Sequence, residues 1–264
     1  GEDVPHAWDN WDIDGDLEFK LKDCAQLESF ETVADGEVEY RIRTVYRLSG
    51  KSKIYQDMIF YADTPRIDFE TAIDWHDKHR FLKTVFDTSV RSDYATQEIQ
   101  FGYVRRPTSR NNSWEQAKFE VVNHKYTDLS ETRFGVAVLN DCKYGVSLYD
   151  NRIALSLHKG GCKPDPRGDE GYHECVYSLT PHAGAFSAGA VVEPAYALNN
   201  PVLTCEGTVS YKAPVTVDSD HVIVETIKPC EKEERAFIVR LYECEGSQAV
   251  TKLTTGFDAV RAAA

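Results

Sequence analysis

A twelve-residue stretch, KPDPRGDEGYHE, holds a dense set of side chains able to act as acids, bases or metal ligands. Asp165 and Asp169 are candidates for a catalytic pair of carboxyl groups, one acting as an acid and the other as a base or nucleophile. With Glu170 and His173 they are also candidate ligands for a hard metal ion. The spacing fits no known metal cage, and a chain with 43 acidic residues contains many carboxylate pairs by chance. We therefore predict no catalytic residue and no metal ligand here.

The simplest interpretation of this stretch is a structured loop between strands, because Asp and Pro favour turns. The alternative is that the loop also faces a substrate cleft or a neighbouring domain. Other polar turns and a cationic segment around Arg106 leave the same choice open. The candidates for a cleft or a domain interface are Arg106, Asn140, Lys143, Tyr144, Lys159, Asp165, Asp169 and His173.

Composition limits the classes of partner. The 264-residue chain has a formal net charge of −13, which disfavours nucleic acid and anionic membranes as partners. It has no apolar run near 18 residues, so we predict no membrane span. Its seven cysteines are odd in number and form no CxxC pair, which favours reduced thiols and predicts a cytoplasmic protein.

Hydrophobic residues recur with period two, which is typical of half-buried strands. In RIDFETAIDWH, apolar residues from Ile67 to Trp75 alternate with charged residues such as Asp68, which we place on the exposed face. The segment Val136–Leu139 is apolar on both faces and predicts a buried strand. Further strands are predicted at Tyr40–Leu48, Arg133–Asn140, Arg152–His158, His173–Pro181, His221–Pro229 and Ala236–Glu243.

Helical signals are few. The stretch GAFSAGAVVEPAYALNNP permits a short helical piece, which we expect Pro194 to interrupt. Many short strands with turn residues between them predict an all-β protein, either a sandwich or a barrel. We divide the chain into a β domain, 1–215, whose residues 1–20 form a lead-in segment, and a small C-terminal β extension, 216–264.

Several long motifs, in order along the chain, resemble the C-terminal β domain of the α-mannosidases of glycoside hydrolase family 38. They are Phe101–Gly145, Leu155–Gly184 and Leu198–Leu203. PHAWDNWDID resembles the segment that precedes that domain, and Asp74–Thr88 resembles one of its strands. The resemblance covers nearly the whole chain.

The resemblance implies a large antiparallel β-sandwich, the supersandwich of galactose-mutarotase-like proteins, within a parent that hydrolyses α-mannosides with retention. The family's zinc site and nucleophile lie in an N-terminal α/β domain and a helical region, which no segment here resembles. We therefore expect a fragment that is inactive alone and carries no cofactor, with zinc in the catalytic domain of the parent. Its expected partners are those two domains and, through the parent, an α-mannoside; a homo-oligomer is compatible with the sequence.

One short motif departs from the family pattern. Close relatives read L-S-L-L-R before the Pro-Asp loop, whereas this chain reads L-S-L-H-K from Leu155 to Lys159, with lysine in place of the arginine. Lysine keeps the charge but lacks the planar fork of arginine, which puts an arginine-like contact to a sugar or carboxylate in doubt.

Two other functions stay open from the sequence. One is a stand-alone carbohydrate-binding module. The other is an aldose epimerase, since mutarotase-like proteins use a histidine and a glutamate, for which His173 and Glu174 are candidates. Adjacent strand residues point to opposite faces, which argues against that pair.

Overall fold

A computed structural model describes residues 1–21, 25–208, 210–258 and 262. Its helices are α1 (Leu17–Lys20), α2 (Ser113–Gln116) and α3 (Glu193–Asn199), the last preceded by a π-helical turn, Ala188–Val192. Its strands are β1 (Gln26–Asp35), β2 (Glu39–Arg47), β3 (Lys53–Tyr61), β4 (Ile67–Trp75), β5 (Phe81–Asp87), β6 (Tyr94–Ile99), β7 (Gly102–Pro107), β8 (Val121–Val122), β9 (Tyr126–Ser130), β10 (Phe134–Asn140), β11 (Gly145–Tyr149), β12 (Arg152–Lys159), β13 (Gly171–Ala183), β14 (Val215–Val217), β15 (Val222–Pro229), β16 (Phe237–Glu243) and β17 (Leu253–Thr255). No helix in these ranges is long and apolar enough to cross a bilayer.

The seven predicted strands are confirmed as β2, β4, β10, β12, β13, β15 and β16. Nine strands form one sheet in the order β1-β2-β3-β4-β13-β10-β9-β6-β7, and four form a second in the order β5-β12-β11-β8. Every pair is antiparallel. The all-β prediction is therefore confirmed.

The main core lies between these two sheets, as in a sandwich. Ile73 and Leu129 of the large sheet are fully buried in one cluster with Ile153 and Leu155 of the small sheet. Burial of such side chains stabilises the fold by about 1.5–3 kcal/mol each. The two sheets are thus joined by the apolar faces that the period-two pattern predicts.

A second core covers the other face of β9 and β10. It joins Tyr126 and Leu139 of those strands to Val191 in the π-helical turn and Cys244 after β16. Because β10 contributes to both cores, it is buried on both faces, as predicted.

The expectation that Pro194 interrupts the helical segment is wrong. Pro194 lies in the first turn of α3, which begins at Glu193. A proline there costs no helical hydrogen bond, because the first N–H groups of a helix have no partner within it. Ser187 supports the preceding π-helical turn, since its side chain accepts a hydrogen bond from the Ala190 N–H.

The placement of Asp68 on an exposed face is also wrong, since Asp68 is 4% exposed. It lies on the face of β4 that also carries the exposed Glu70, so its burial comes from the side chains immediately around it. The hydroxyls of Tyr61 and Ser178 and the Arg66 guanidinium donate hydrogen bonds to the Asp68 carboxylate. These donors satisfy the charge that burial would otherwise destabilise.

The C-terminal strands form two small sheets, β14-β17 and β15-β16. Ile223 and Tyr242, from the second of these sheets, pack against the second core. The division into 1–215 and 216–264 stays a prediction.

Gly135 should not tolerate a side chain. Gly135 pairs directly with His182 on β13 and with Ser130 on β9. A Cβ there would lie 2.3 Å from His182 Cε1 and 2.6 Å from Ser130 Oγ. We expect Gly135→Ala to lower the free energy of unfolding by about 1–3 kcal/mol through overpacking. The measurement is the urea unfolding midpoint.

The matched control for this substitution is Gly50→Ala. A Cβ at Gly50 meets nothing within 4 Å, so its unfolding midpoint should stay close to that of the unchanged chain. Equal midpoints for the two variants would contradict the predicted clash.

Candidate functional site

A groove of about 420 Å³ lies where the N-terminal segment crosses the end of the small sheet. It contains Lys143, Lys159, Asp169 and His173, four of the eight residues that the sequence selects as cleft or interface candidates. Its other lining residues are Asn10, Trp11, Ile13, Phe81, Glu120, Gly145, Ser156, Leu157 and His158. Polar and aromatic side chains therefore converge here, as in many sites that bind polar ligands.

Lys159, at the end of β12, ties the N-terminal segment to the sandwich. Its ammonium lies 2.9 Å from the buried Asp3 carboxylate and donates to the Asp12 carbonyl. It also lies 5.9 Å from the centre of the Phe81 ring. Three interactions therefore hold the Lys159 ammonium in a fixed position in the groove wall.

Two histidine rings form one side of the groove. The rings of His158 and His173 lie 4.4 Å apart, and each is bonded through Nε2 to the Asp169 carbonyl, at 3.0 and 2.8 Å. His158 also packs on Trp75 with 4.7 Å between ring centres. Burial, with a smaller effect of the neighbouring His173, lowers the pKa of His158 to about 4. His158 is therefore a neutral donor near neutral pH.

A buried ion pair lies beside the groove. The Lys83 ammonium, whose side chain is 2% exposed, bonds the Glu120 carboxylate, which also accepts from the Ser156 hydroxyl. Burial lowers the pKa of Lys83, and the attraction of Glu120 opposes that shift. The pair fixes Glu120 at the groove wall.

Trp11 is the large aromatic side chain at the entrance. It is 75% exposed, and its ring centre lies 6.2 Å from that of Trp8, which is itself 57% exposed. The Trp8 carbonyl accepts hydrogen bonds from the N–H groups of Trp11 and Asp12, which makes a tight turn. An exposed indole beside a fixed ammonium group can stack on a sugar ring or fill a pocket of another domain.

Two candidates near the groove have mainly structural contacts. Asn140 is fully buried, and its amide donates to the carbonyl of His124 and accepts from the Lys143 N–H. Tyr144 is 46% exposed, and its ring packs against His124 with 5.2 Å between centres. Their participation in a cleft stays a prediction.

Two further candidates lie outside the groove. The Asp165 carboxylate accepts from the Arg167 N–H at 2.9 Å, and its carbonyl accepts from Gly168, so it shapes a turn. The Arg106 guanidinium donates to the Gln97 side chain and to the Val122 carbonyl at 2.9 Å. Any interface role for these two also stays a prediction.

The stretch Lys163–Glu174 has the geometry of a structured loop. Two contacts hold it besides the Asp165 turn. The Lys163 carbonyl accepts a hydrogen bond from the Asn10 N–H, and the Pro166 carbonyl accepts one from the Lys78 ammonium. Glu174 is exposed and does not line the groove, whereas His173 does. The two residues therefore do not converge, as strand alternation predicts.

Several groove residues were not selected from the sequence. Trp11 had a signal, since a tryptophan in a polar stretch is unusual, but nothing linked it to a strand over 130 residues away. Glu120 had none, because its position depends on Lys83. His158 stands where close relatives have a leucine, but its place in the groove depends on the contact between β12 and β13. Spatial convergence of distant segments leaves no local pattern.

The comparisons with known proteins fit this architecture. Residues 2–167 match the family described as "Glycosyl hydrolases family 38 C-terminal domain", and residues 221–264 match "Glycosyl hydrolases family 38 C-terminal beta sandwich domain". Among solved structures, an α-mannosidase from Enterococcus faecalis V583 superimposes with a TM-score of 0.75 over 88% of this chain and 31% of that one. At 14% identity that likeness concerns the fold alone.

Curated relatives align over almost the whole chain. α-Mannosidase 2C1 of Homo sapiens is 39% identical over 255 residues, which cover 93% of this chain and 24% of the relative. α-Mannosidase G of Dictyostelium discoideum is 36% identical over 266 residues, with 96% and 24% covered. The chain thus spans about a quarter of the length of these relatives. Because the family model matches more than half of the chain, this chain belongs to the C-terminal domain family of the family 38 glycosyl hydrolases.

Proposed function

We propose that this chain is the non-catalytic C-terminal part of an α-mannosidase, which supports the catalytic domain and lines one side of the substrate cleft. The relatives that it matches are α-mannosidases. The longer protein would hydrolyse terminal α-mannosides with retention, using zinc and a nucleophile outside this chain. Partners of the chain are then the preceding catalytic and helical domains.

The groove carries this proposal. Trp11 is exposed at its entrance, Lys159 is fixed in its wall, and His158 and His173 present imidazole groups beside them. Sugar recognition uses this combination of an aromatic face and polar donors. The same surface suits a domain interface, where exposed tryptophans become buried anchors.

Activity measurements test the proposal. The chain alone should fold but not hydrolyse an aryl α-mannoside, with or without added zinc. The polypeptide that includes the preceding coding sequence should hydrolyse it. In that longer protein, Trp11→Ala should reduce kcat/KM by about tenfold or more, since a buried aromatic anchor contributes about 1–3 kcal/mol.

Trp114→Ala is the matched control, because Trp114 is 81% exposed on α2 and does not line the groove. It should leave kcat/KM within about twofold. Turnover by the isolated chain that depends on its own residues would overturn the proposal, and a loss with Trp114→Ala but not with Trp11→Ala would move the interface elsewhere.

A stand-alone carbohydrate-binding module is the second candidate, because the groove is open in the chain as it stands. Calorimetric titration of the chain with mannose and mannobiose distinguishes the two. Binding heat that disappears in Trp11→Ala would favour the carbohydrate-binding module. No binding heat at millimolar sugar would favour the role of supporting the catalytic domain.

We also propose a cytoplasmic location. The support is compositional, since an odd number of cysteines without CxxC pairs suits a reducing compartment. Cys175 and Cys244 are buried, and burial raises the pKa of Cys175 to about 11, so this thiol has a packing role. Cys24 lies outside the described residues.

A further inference from the structure

Three segments that are far apart in sequence bring different metal-binding side chains together next to the groove. Asp9 comes from the N-terminal segment, His79 from the connection after β4, and Cys162 from the loop after β12. One ligand atom of each lies within 4.8 Å of the other two. Within the described ranges, these three side chains are close enough together to hold one metal ion.

Asp9 is directed into this group with one oxygen unsatisfied. It is 4% exposed, and its Oδ1 accepts from the N–H groups of Cys162 at 3.0 Å and Lys163 at 2.6 Å. Its buried Oδ2 has no hydrogen bond within the part of the chain described, although it lies 3.1 Å from His79 Nδ1. His79 Nδ1 is likewise buried without one. The two buried atoms therefore face each other at contact distance without a hydrogen bond, and a cation bound between them would satisfy both.

The backbone holds the three residues in place. His79 has a positive φ of 55°, which is uncommon for a residue with a side chain, and its N–H donates to the Gly160 carbonyl at 2.7 Å. A Cβ on Gly161 would lie 2.5 Å from Asn10 Oδ1 and 2.8 Å from the Asp9 carbonyl. The loop therefore packs directly on the N-terminal segment, which is the preorganisation that a binding site needs.

We propose that Asp9, His79 and Cys162 form a zinc site. Carboxylate, imidazole and thiolate are the three ligand types of zinc in proteins, and two ligand atoms of a tetrahedral zinc lie about 3–4 Å apart. The Asp9 to His79 separation already falls in that range. With three protein ligands and a half-exposed His79, the fourth position is open to water.

When zinc binds, the Cys162 thiol releases its proton to solvent and the sulfur–zinc bond replaces the S–H bond. The site differs from the zinc expected in the catalytic domain of the longer protein, since all three ligands belong to this chain. Its effect would be to fasten the segment that carries Trp11 to the sandwich.

Cobalt substitution tests the site on the 264-residue chain itself. After treatment with a chelator and its removal, Co²⁺ titration should give a thiolate-to-metal charge-transfer band that saturates at one equivalent. Cys162→Ser should abolish the band, and competition with Zn²⁺ should remove it. We expect Cys162→Ser to weaken Zn²⁺ binding by about a hundredfold, at least as much as loss of a residue that only orients a ligand.

The matched control is Cys142→Ser, since Cys142 is an exposed free cysteine outside the group. It should keep both the band and the affinity. His79→Ala should also lose tight binding. If the His79→Ala variant does not fold, Cys162→Ser alone decides the test. No band, or one that survives in Cys162→Ser, would show that Asp9 and His79 form only an ion pair.

Discussion

Replacing Glu120 by alanine is expected to lower the free energy of unfolding by about 3–5 kcal/mol. The substitution leaves the Lys83 ammonium buried without its carboxylate partner, and the Lys83 side chain is only 2% exposed. A charge in that position cannot recover its hydration. At about 2–4 °C per kcal/mol, the thermal midpoint should fall by roughly 6–20 °C.

Arg152 and Asp87 provide the matched control. This ion pair links β12 to β5, and its side chains are 51% and 62% exposed. Asp87→Ala should cost less than about 1 kcal/mol, because solvent screens an exposed pair. If both alanine variants had the same urea midpoint, burial would not be the reason for the predicted loss.

A double substitution separates the charge from the packing. In Lys83→Met with Glu120→Leu, no charge is left unpaired, and most of the loss in Glu120→Ala should be recovered. Ser156, whose hydroxyl donates to Glu120, then loses its acceptor, so recovery should be incomplete. A double variant as unstable as Glu120→Ala alone would assign the effect to packing.

Acidification should destabilise the fold through His158. The pKa of this residue is about 4 in the fold, against 6.5 ordinarily, because burial disfavours the imidazolium. A lowered pKa means that the unfolded chain binds the proton first, so stability is lost as pH falls below about 6.5. Linkage gives a loss of about 2 kcal/mol at pH 5 and about 3 kcal/mol at pH 4.

The test compares urea unfolding from about pH 7 to pH 4 for the unchanged chain and for His158→Gln. As the pH falls, the free energy of unfolding of the unchanged chain should decrease by the predicted amount more than that of His158→Gln. A His182→Gln variant should show the opposite sign: burial disfavours the charge of His182, yet the Asp128 carboxylate outweighs this and raises the pKa. His182 therefore adds stability at low pH. Parallel profiles for His158→Gln and the unchanged chain would refute the assignment.

The strands were predictable because a two-residue period needs only local information. Each inward side chain of β4 lies on the face that alternation indicates, including the buried Ile73 and Trp75. The same logic failed at Asp68, since alternation assigns a residue to a face but does not show which neighbouring side chains cover it. It also failed at Pro194, where the position within the helix, not the residue type, decides tolerance.

The groove was predictable only in part. Lys143, Lys159, Asp169 and His173 were selected as polar residues of turns and strand ends, and they lie together. Asn140 was selected for the same reason but is fully buried with its amide occupied. Asn140 and the four groove residues are all polar residues at turns or strand ends, so the sequence offered no means of separating the buried residue from the groove residues.

By itself, the sequence determined the all-β class, the positions of seven of the strands β1 to β17 and the family to which the chain belongs, since these depend on local periodicity and on long motifs. Only the tertiary structure decided which distant side chains meet. Trp11 lines the same groove as the histidines of β12 and β13, and Asp9 lies near His79 and Cys162, because the N-terminal segment crosses the end of the sandwich. That crossing is fixed by long-range contacts such as Lys159 to Asp3, which no spacing along the chain encodes.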